Sequence, residues 1–174
     1  MREMTAFEIA EARFVFNSAL DYSRIRIAEG VLWPDRLAQI SAWLGQYAAP
    51  THNAITLGNK LYFPVTLRTI PSSADGFSLD DAAWLVHELT HAWQFQHQGI
   101  TYLLEAIRAQ VTLGPSAYDY GWEAGLNEAT VRGDSLYDFN PEQQGDIARH
   151  YYYRHKQDLD VQAWLPFALT FKNP

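Results

Sequence analysis

His87-Glu88-Leu89-Thr90-His91-Ala92-Trp93-Gln94-Phe95-Gln96-His97 is the stretch on which the fold of this chain turns. Histidines four apart share one face of a helix, roughly 5–6 Å between Cβ atoms, so His87 and His91 can grip a single zinc ion. Glu88 stands one step round the helix, where a carboxylate can take a proton from water at such an ion. The flanks predict one long helix. Ser78 is a good N-cap, Asp80 and Asp81 suit the positive first turn, and Gly99 can end it. Between them Ala82, Ala83, Trp84, Leu85, Val86, Leu89, Ala92, Trp93 and Phe95 make the segment apolar on most sides, the mark of a helix inside a core. A buried helix carrying two histidines and a glutamate strands polar groups unless something satisfies them, and a metal ion does so directly.

Composition narrows the chemistry. The chain has 174 residues, enough to bury a sizeable core as one domain over residues 1–174. Its net charge of −7 provides no electrostatic footprint for nucleic acid or an anionic membrane surface. With Cys 0, thiol catalysis, disulfide scaffolding and cysteine-held zinc are excluded, so any zinc must rest on histidine and carboxylate. The first residues lack the basic, apolar and small-residue order of a cleavable secretion signal, and no apolar run reaches the roughly 18 residues of a membrane span. The expectation is a soluble protein made in the cytoplasm, with export by a route that reads no N-terminal signal left open.

Along the chain no repeat or low-complexity tract interrupts the pattern. Residues 5–19 predict a short amphipathic helix, and Ile25 and Ile27 alternate with Arg24 and Arg26 as in a strand. Residues 34–47 and 101–112 read as helices. Residues 53–57 and 60–63, joined by Gly58-Asn59, form the strongest hairpin signal. Residues 118–122 and 129–131 are weaker strand candidates. Asn140-Pro141-Glu142-Gln143 announces a helix to about His155, with Asn as N-cap, Pro at the first position and Gln closing a capping box. The tail, with Pro166 and Pro174, reads as irregular after a short turn. The fold class is therefore α+β, with a small, mainly antiparallel sheet packed on the buried His87–His91 helix and a second helix carrying a further ligand.

A catalytic zinc takes three protein ligands and keeps one position for water. His97 stands six residues after His91, the spacing of the metzincin pattern. That geometry needs a helix-breaking glycine where this chain has Gln94. In an unbroken helix six residues turn about 600°, a net 240°, which aims His97 away from the ion. The other candidates are carboxylates: Glu105, Asp119, Glu123, Glu128, Asp134, Asp138 and Glu142. Asn127-Glu128 has the opening of a thermolysin-type ligand helix but offers Arg132 four residues on, where that family has an aspartate. Glu142 is followed by Asp146 on the same helical face, and a ligating imidazole wants its second nitrogen bonded to such an outer carboxylate.

The Glu142-x-x-x-Asp146 spacing resembles the gluzincin branch of zinc metallopeptidases, in which the glutamate ligates zinc and the aspartate supports the first histidine. Together with His87–His91, the segments Ala117-Tyr118-Asp119-Tyr120 and Phe139-Asn140-Pro141-Glu142-Gln143-Gln144-Gly145-Asp146-Ile147 resemble bacterial vgr-related, or Rhs/Vgr-associated, zincin-like proteins encoded near type VI secretion components. The resemblance spans roughly the second half of the chain. It implies a compact gluzincin-like domain of bacterial origin, with a peptide or protein substrate and a secretion-system partner. The expected function is a zinc-dependent peptidase or amide hydrolase with His87, His91 and Glu142 on the metal, Asp146 behind His87 and Glu88 as general base. A side-chain donor to the developing oxyanion would come from Tyr118, Tyr120, His150 or Tyr153. His150 leads this group, because it lies eight residues after Glu142 on one helical stripe. The rival expectation is a catalytically silent adaptor or docking module in which zinc only staples the fold. Glu88 separates the two, since a purely structural site has no use for an unliganded carboxylate beside the ion.

Overall fold

The structure, a computed structural model, describes residues 1–33, 54–71, 76–99 and 114–174. The helices expected over residues 34–47 and 101–112, the candidate ligand Glu105 and hairpin residue Asn53 lie outside the described residues. The first helix, α1 (Ala6–Phe16), starts at Thr5, whose hydroxyl accepts from the Glu8 backbone N–H while the Glu8 side chain accepts from the Thr5 N–H. Glu8 is buried, and a two-pronged bond from Arg2 at 2.8 Å on each carboxylate oxygen compensates its charge.

Ile25 and Ile27 are both fully buried on the short strand β1 (Arg26–Ala28) and its approach, as their alternation predicts. The hairpin forms where Gly58-Asn59 stands between alternating residues: β2 (Ile55–Leu57) runs antiparallel to β3 (Lys60–Tyr62). β1 joins β3 in parallel, so the mixed sheet has the order β1-β3-β2. Thr56 and Leu61 are register partners and the buried members of their strands, so they share the face turned to the core.

The long helix α2 (Leu79–Gln98) fills the centre. Ser78 caps it by accepting from Asp81, and Gly99 ends it. Its residues from Leu85 to Gln94 are buried without interruption, which explains the apolar character on nearly every side. It packs against β2 and β3 on one flank and, most extensively, against α4 (Pro141–Lys156) on the other. α4 begins as the sequence predicts, with Asn140 accepting from the Gln143 N–H and Gln143 reaching back to Asn140. The α+β class, with a small sheet packed on α2 and α4 packed on the other flank of α2, is therefore observed.

Three local expectations are corrected. Residues 118–122 form no strand: a 3-10 turn spans Gly114–Tyr118, and Asp119 then accepts from the Gly121 N–H to redirect the chain. Residues 129–131 lie inside helix α3 (Trp122–Arg132), where Leu126 and Ala129 bury a face at helical spacing and Val131 faces solvent. The tail is helical as α5 (Leu165–Lys172). Pro166 sits in its first turn, where a missing N–H has no intrahelical partner to lose, and Phe167 and Phe171 bury one stripe. Phe171 meets Trp93 of α2 edge-on at 5.2 Å, tying the tail to the central helix. No helix among the described residues is long and apolar enough to cross a membrane.

Gly58 turns the hairpin at φ 64°, and a Cβ there would stand 3.2 Å from the Phe95 ring of α2. Gly58→Ala is expected to lose about 1–3 kcal/mol of stability, from the left-handed backbone and the ring contact together, measured by denaturant unfolding.

Candidate metal centre

The site is built where α2 and α4 touch. Gly145 lies in the interior of α4, and a Cβ there would fall 2.7–2.9 Å from three atoms of the His87 ring. The imidazole therefore rests on a bare Cα, and the two helices come close enough for their polar groups to meet. Three atoms converge at this contact. His87 Nε2 and His91 Nε2 are 3.2 Å apart, and Glu142 Oε2 is 3.4 Å from the first and 3.5 Å from the second. All three residues are buried. Among the described residues they are the one group of three or more potential ligand side chains whose donor atoms lie within 4.8 Å of one another.

The hydrogens around this triangle can be assigned by elimination. His87 Nδ1 faces Asp146 Oδ1 at 3.0 Å, a carboxylate that can only accept, so Nδ1 carries hydrogen. His91 Nδ1 faces Gln94 Oε1 at 2.9 Å. The Gln94 amide cannot be flipped without loss, because its nitrogen donates to the Pro141 carbonyl at 3.1 Å and to Gln144 Oε1 at 2.8 Å. Gln144 is fixed in turn by donating to the Phe139 carbonyl at 2.8 Å. His91 Nδ1 therefore also carries hydrogen, and both neutral rings turn lone pairs inward at Nε2. Two lone pairs and a carboxylate oxygen then meet with no hydrogen between them, an arrangement that calls for a cation. A tetrahedral zinc ion with bonds of about 2.0–2.1 Å needs edges of about 3.3 Å between its ligands, close to the triangle observed.

In the metal-free protein the cation is a proton. Burial opposes charge on His87, but hydrogen bonds to Asp146 and Glu142 outweigh it and lift the ring to about 10. Burial also opposes charge on His91, and Glu142 overcomes it and raises that ring. Burial would raise Glu142, yet the two imidazoles hold it far below the usual carboxylate range; burial would raise Asp146 too, and His87 lowers it.

Glu88, buried on α2, is held from the sheet. The Thr56 hydroxyl of β2 lies 2.8 Å from Glu88 Oε2 and 3.1 Å from the Glu88 carbonyl, and its single hydrogen goes to the nearer, charged acceptor. His150 stands one turn beyond Asp146 on α4, where Asp146 and His87 act on it electrostatically. Burial first, then the positive field of Arg149, depresses it to about 4, so the ring is neutral at pH 7. Its Nδ1 is 2.8 Å from the Tyr120 hydroxyl. The Tyr118 ring lies 6.2 Å from His87, and Tyr153 is partly buried against the core.

The other candidate ligands among the described residues stand elsewhere. Asp134 pairs with Arg132 at 2.7 Å, Asp138 accepts from Ser135 at 2.7 Å, Asp119 serves its turn, and Glu123 and Glu128 are exposed on α3. His97 faces the Ala19 carbonyl at 2.7 Å, away from the triangle, as an unbroken helix requires. Sequence reasoning missed Gln94, Thr56 and Gly145. Gln94 stands at helical contact spacing from His91 and Gly145 is a costly residue for a helix interior, so both left a trace. Thr56 left none, because strand and helix meet only in the folded chain.

No family model matches the chain. It is 30% identical over 174 residues to the type VI secretion system spike protein VgrG2b of Pseudomonas aeruginosa (strain PAO1), an alignment over 99% of this chain and 15% of that protein. The chain thus spans 15% of the length of the curated relative it matches. Among solved structures it is similar to the effector domain of Pseudomonas aeruginosa VgrG2b, with a TM-score of 0.59 and 26% identity, over 96% of this chain and 82% of that one.

Two outcomes follow from the packed triangle. Gly145→Ala is expected to displace the His87 ring and weaken zinc binding at least about tenfold, read by competition with a chelating dye. Zinc uptake at pH 7 is expected to release protons, because His87 keeps its second proton to about pH 10 when the metal is absent. Calorimetry in buffers of different ionisation enthalpy measures that release, and an uptake independent of buffer would contradict the assignment.

Proposed function

We propose that this chain is a zinc-dependent peptidase or amide hydrolase of gluzincin type, acting as an effector module associated with a bacterial type VI secretion system. The observation that carries the chemistry is the convergence of three buried acceptors, His87 Nε2, His91 Nε2 and Glu142 Oε2, with the Glu88 carboxylate beside them on the same helix. The likeness to the VgrG2b effector domain supports the secretion setting. Residues 1–174 would form one zincin-like metallopeptidase domain, made in the cytoplasm and exported with the secretion apparatus, with a peptide or protein as substrate.

His87, His91 and Glu142 would hold the zinc, and Asp146 and Gln94 would orient the two rings. Zinc bound there supplies Lewis acidity toward a carbonyl oxygen and lowers the pKa of a water molecule. Glu88, steadied by Thr56, takes a proton from the attacking water and returns it to the amine nitrogen as the C–N bond breaks. His150, neutral at pH 7, donates a hydrogen bond to the oxyanion. The negative charge of the chain fits a substrate that is neither nucleic acid nor membrane.

Glu88→Gln keeps the shape of the side chain and removes the base. It is expected to retain stoichiometric zinc by elemental analysis while lowering kcat/KM on a cleavable peptide by about 100-fold or more. His87→Ala and Glu142→Ala are each expected to lose stoichiometric zinc. Full activity in Glu88→Gln would remove the hydrolase, and full zinc in Glu142→Ala would remove the third ligand.

A further inference from the structure

A buried hydrogen-bond chain stands behind His150. The Tyr120 hydroxyl oxygen lies 3.0 Å from Trp164 Nε1 and 2.8 Å from His150 Nδ1. Tyr120 and Trp164 are both buried. An indole N–H can only donate, so it occupies one lone pair of the phenol oxygen. The phenol has a single hydrogen, and among the described residues its one available acceptor is His150 Nδ1. With the hydrogen aimed elsewhere, a buried donor would go unsatisfied.

We infer that Tyr120, backed by Trp164, is a positioning residue that holds His150 in the neutral tautomer with its hydrogen on Nε2. The direction Trp164 N–H to Tyr120 O–H to His150 Nδ1 leaves Nε2–H as the outward donor of the ring, and no described residue accepts from it. Trp122 closes the open face of the imidazole, its ring 4.3 Å away at 32°. That indole is 56% exposed and starts α3 at φ 55°, a left-handed backbone unusual for a bulky residue. Burial, with Arg149 and Arg154 of α4 and His87 of α2, favours the uncharged ring and outweighs Asp146 of α4, which favours charge. The inference rests on the proposed hydrolase, in which this Nε2–H serves the oxyanion, and it adds the two residues that make the donor available.

Long-range proton–nitrogen correlation spectra of the zinc-loaded protein at pH 7 test it in wild type, Tyr120→Phe and Trp164→Phe. Wild type is expected to show His150 with hydrogen on Nε2 and Nδ1 shifted as a hydrogen-bonded acceptor. In Tyr120→Phe the Nδ1 signal is expected to move to that of an unbonded ring nitrogen and the second tautomer to become detectable, with zinc content unchanged. On a cleavable peptide the same variant is expected to lower kcat about tenfold and leave KM within about twofold. Trp164→Phe keeps the phenol but frees its orientation, so a smaller loss of the Nε2–H form is expected. Hydrogen on Nδ1 in wild type, a charged ring at pH 7, or an unchanged spectrum in whichever variant folds would each overturn the inference. The expected spectra together with full activity in His150→Gln would uphold the positioning role and overturn the oxyanion role assigned to His150 above.

Discussion

The His87 imidazole lies against the bare Cα of Gly145, and the close approach of α2 and α4 at that point is the constraint from which the site follows. With the helices that close, Glu142 reaches both imidazoles, Asp146 reaches the far nitrogen of His87, and Gln94 reaches the first turn of α4. A side chain at position 145 would meet the ring at 2.7–2.9 Å, so either the imidazole or the helix would have to shift.

The two histidines are oriented by different means. His87 leans on a carboxylate, which favours charge on the ring and raises the basicity of its inward nitrogen. His91 leans on a neutral amide fixed by a relay through Gln144 to the Phe139 carbonyl. One carboxylate in the triangle, one behind His87 and an amide behind His91 would put less negative charge around a bound ion than two outer carboxylates would. The same economy holds at His150, where neutral partners, Tyr120 and Trp164, fix a ring that burial keeps uncharged. Orientation by hydrogen-bond relay is the shared device, and it works because each buried polar group has few partners to choose from.

The sheet contributes to the site through a single side chain. Thr56 is on the core face of β2 only because the hairpin register pairs it with Leu61, and a slip of one residue would turn it to the opposite face. The turn at Gly58, pressed against Phe95 of α2, holds that register to the central helix. The stability of the hairpin and the placement of the Glu88 carboxylate are thus linked through one strand.

Much of this was legible in the chain itself. Local rules reach a few residues, and within that reach they succeeded: the caps of α2 and α4, the Gly58-Asn59 hairpin, the shared face of His87 and His91, and the outward aim of His97 all follow from spacing and end chemistry. They failed where burial from elsewhere overrode a short pattern, as in residues 129–131, whose branched side chains suggest a strand but which ride on a helix anchored by Leu126 and Ala129. Pro166 misled in the same way, because its cost depends on its place in a helix and not on its presence. The sequence by itself determined which residue types are present and the face on which each helix carries them. Only the tertiary structure decided that Glu142, among the six described acidic candidates, meets the histidines, and that Gln94, Thr56 and Tyr120 stand behind His91, Glu88 and His150. Those partners lie across helix–helix and helix–sheet contacts, and the distance between two elements is set by packing, which no local spacing encodes.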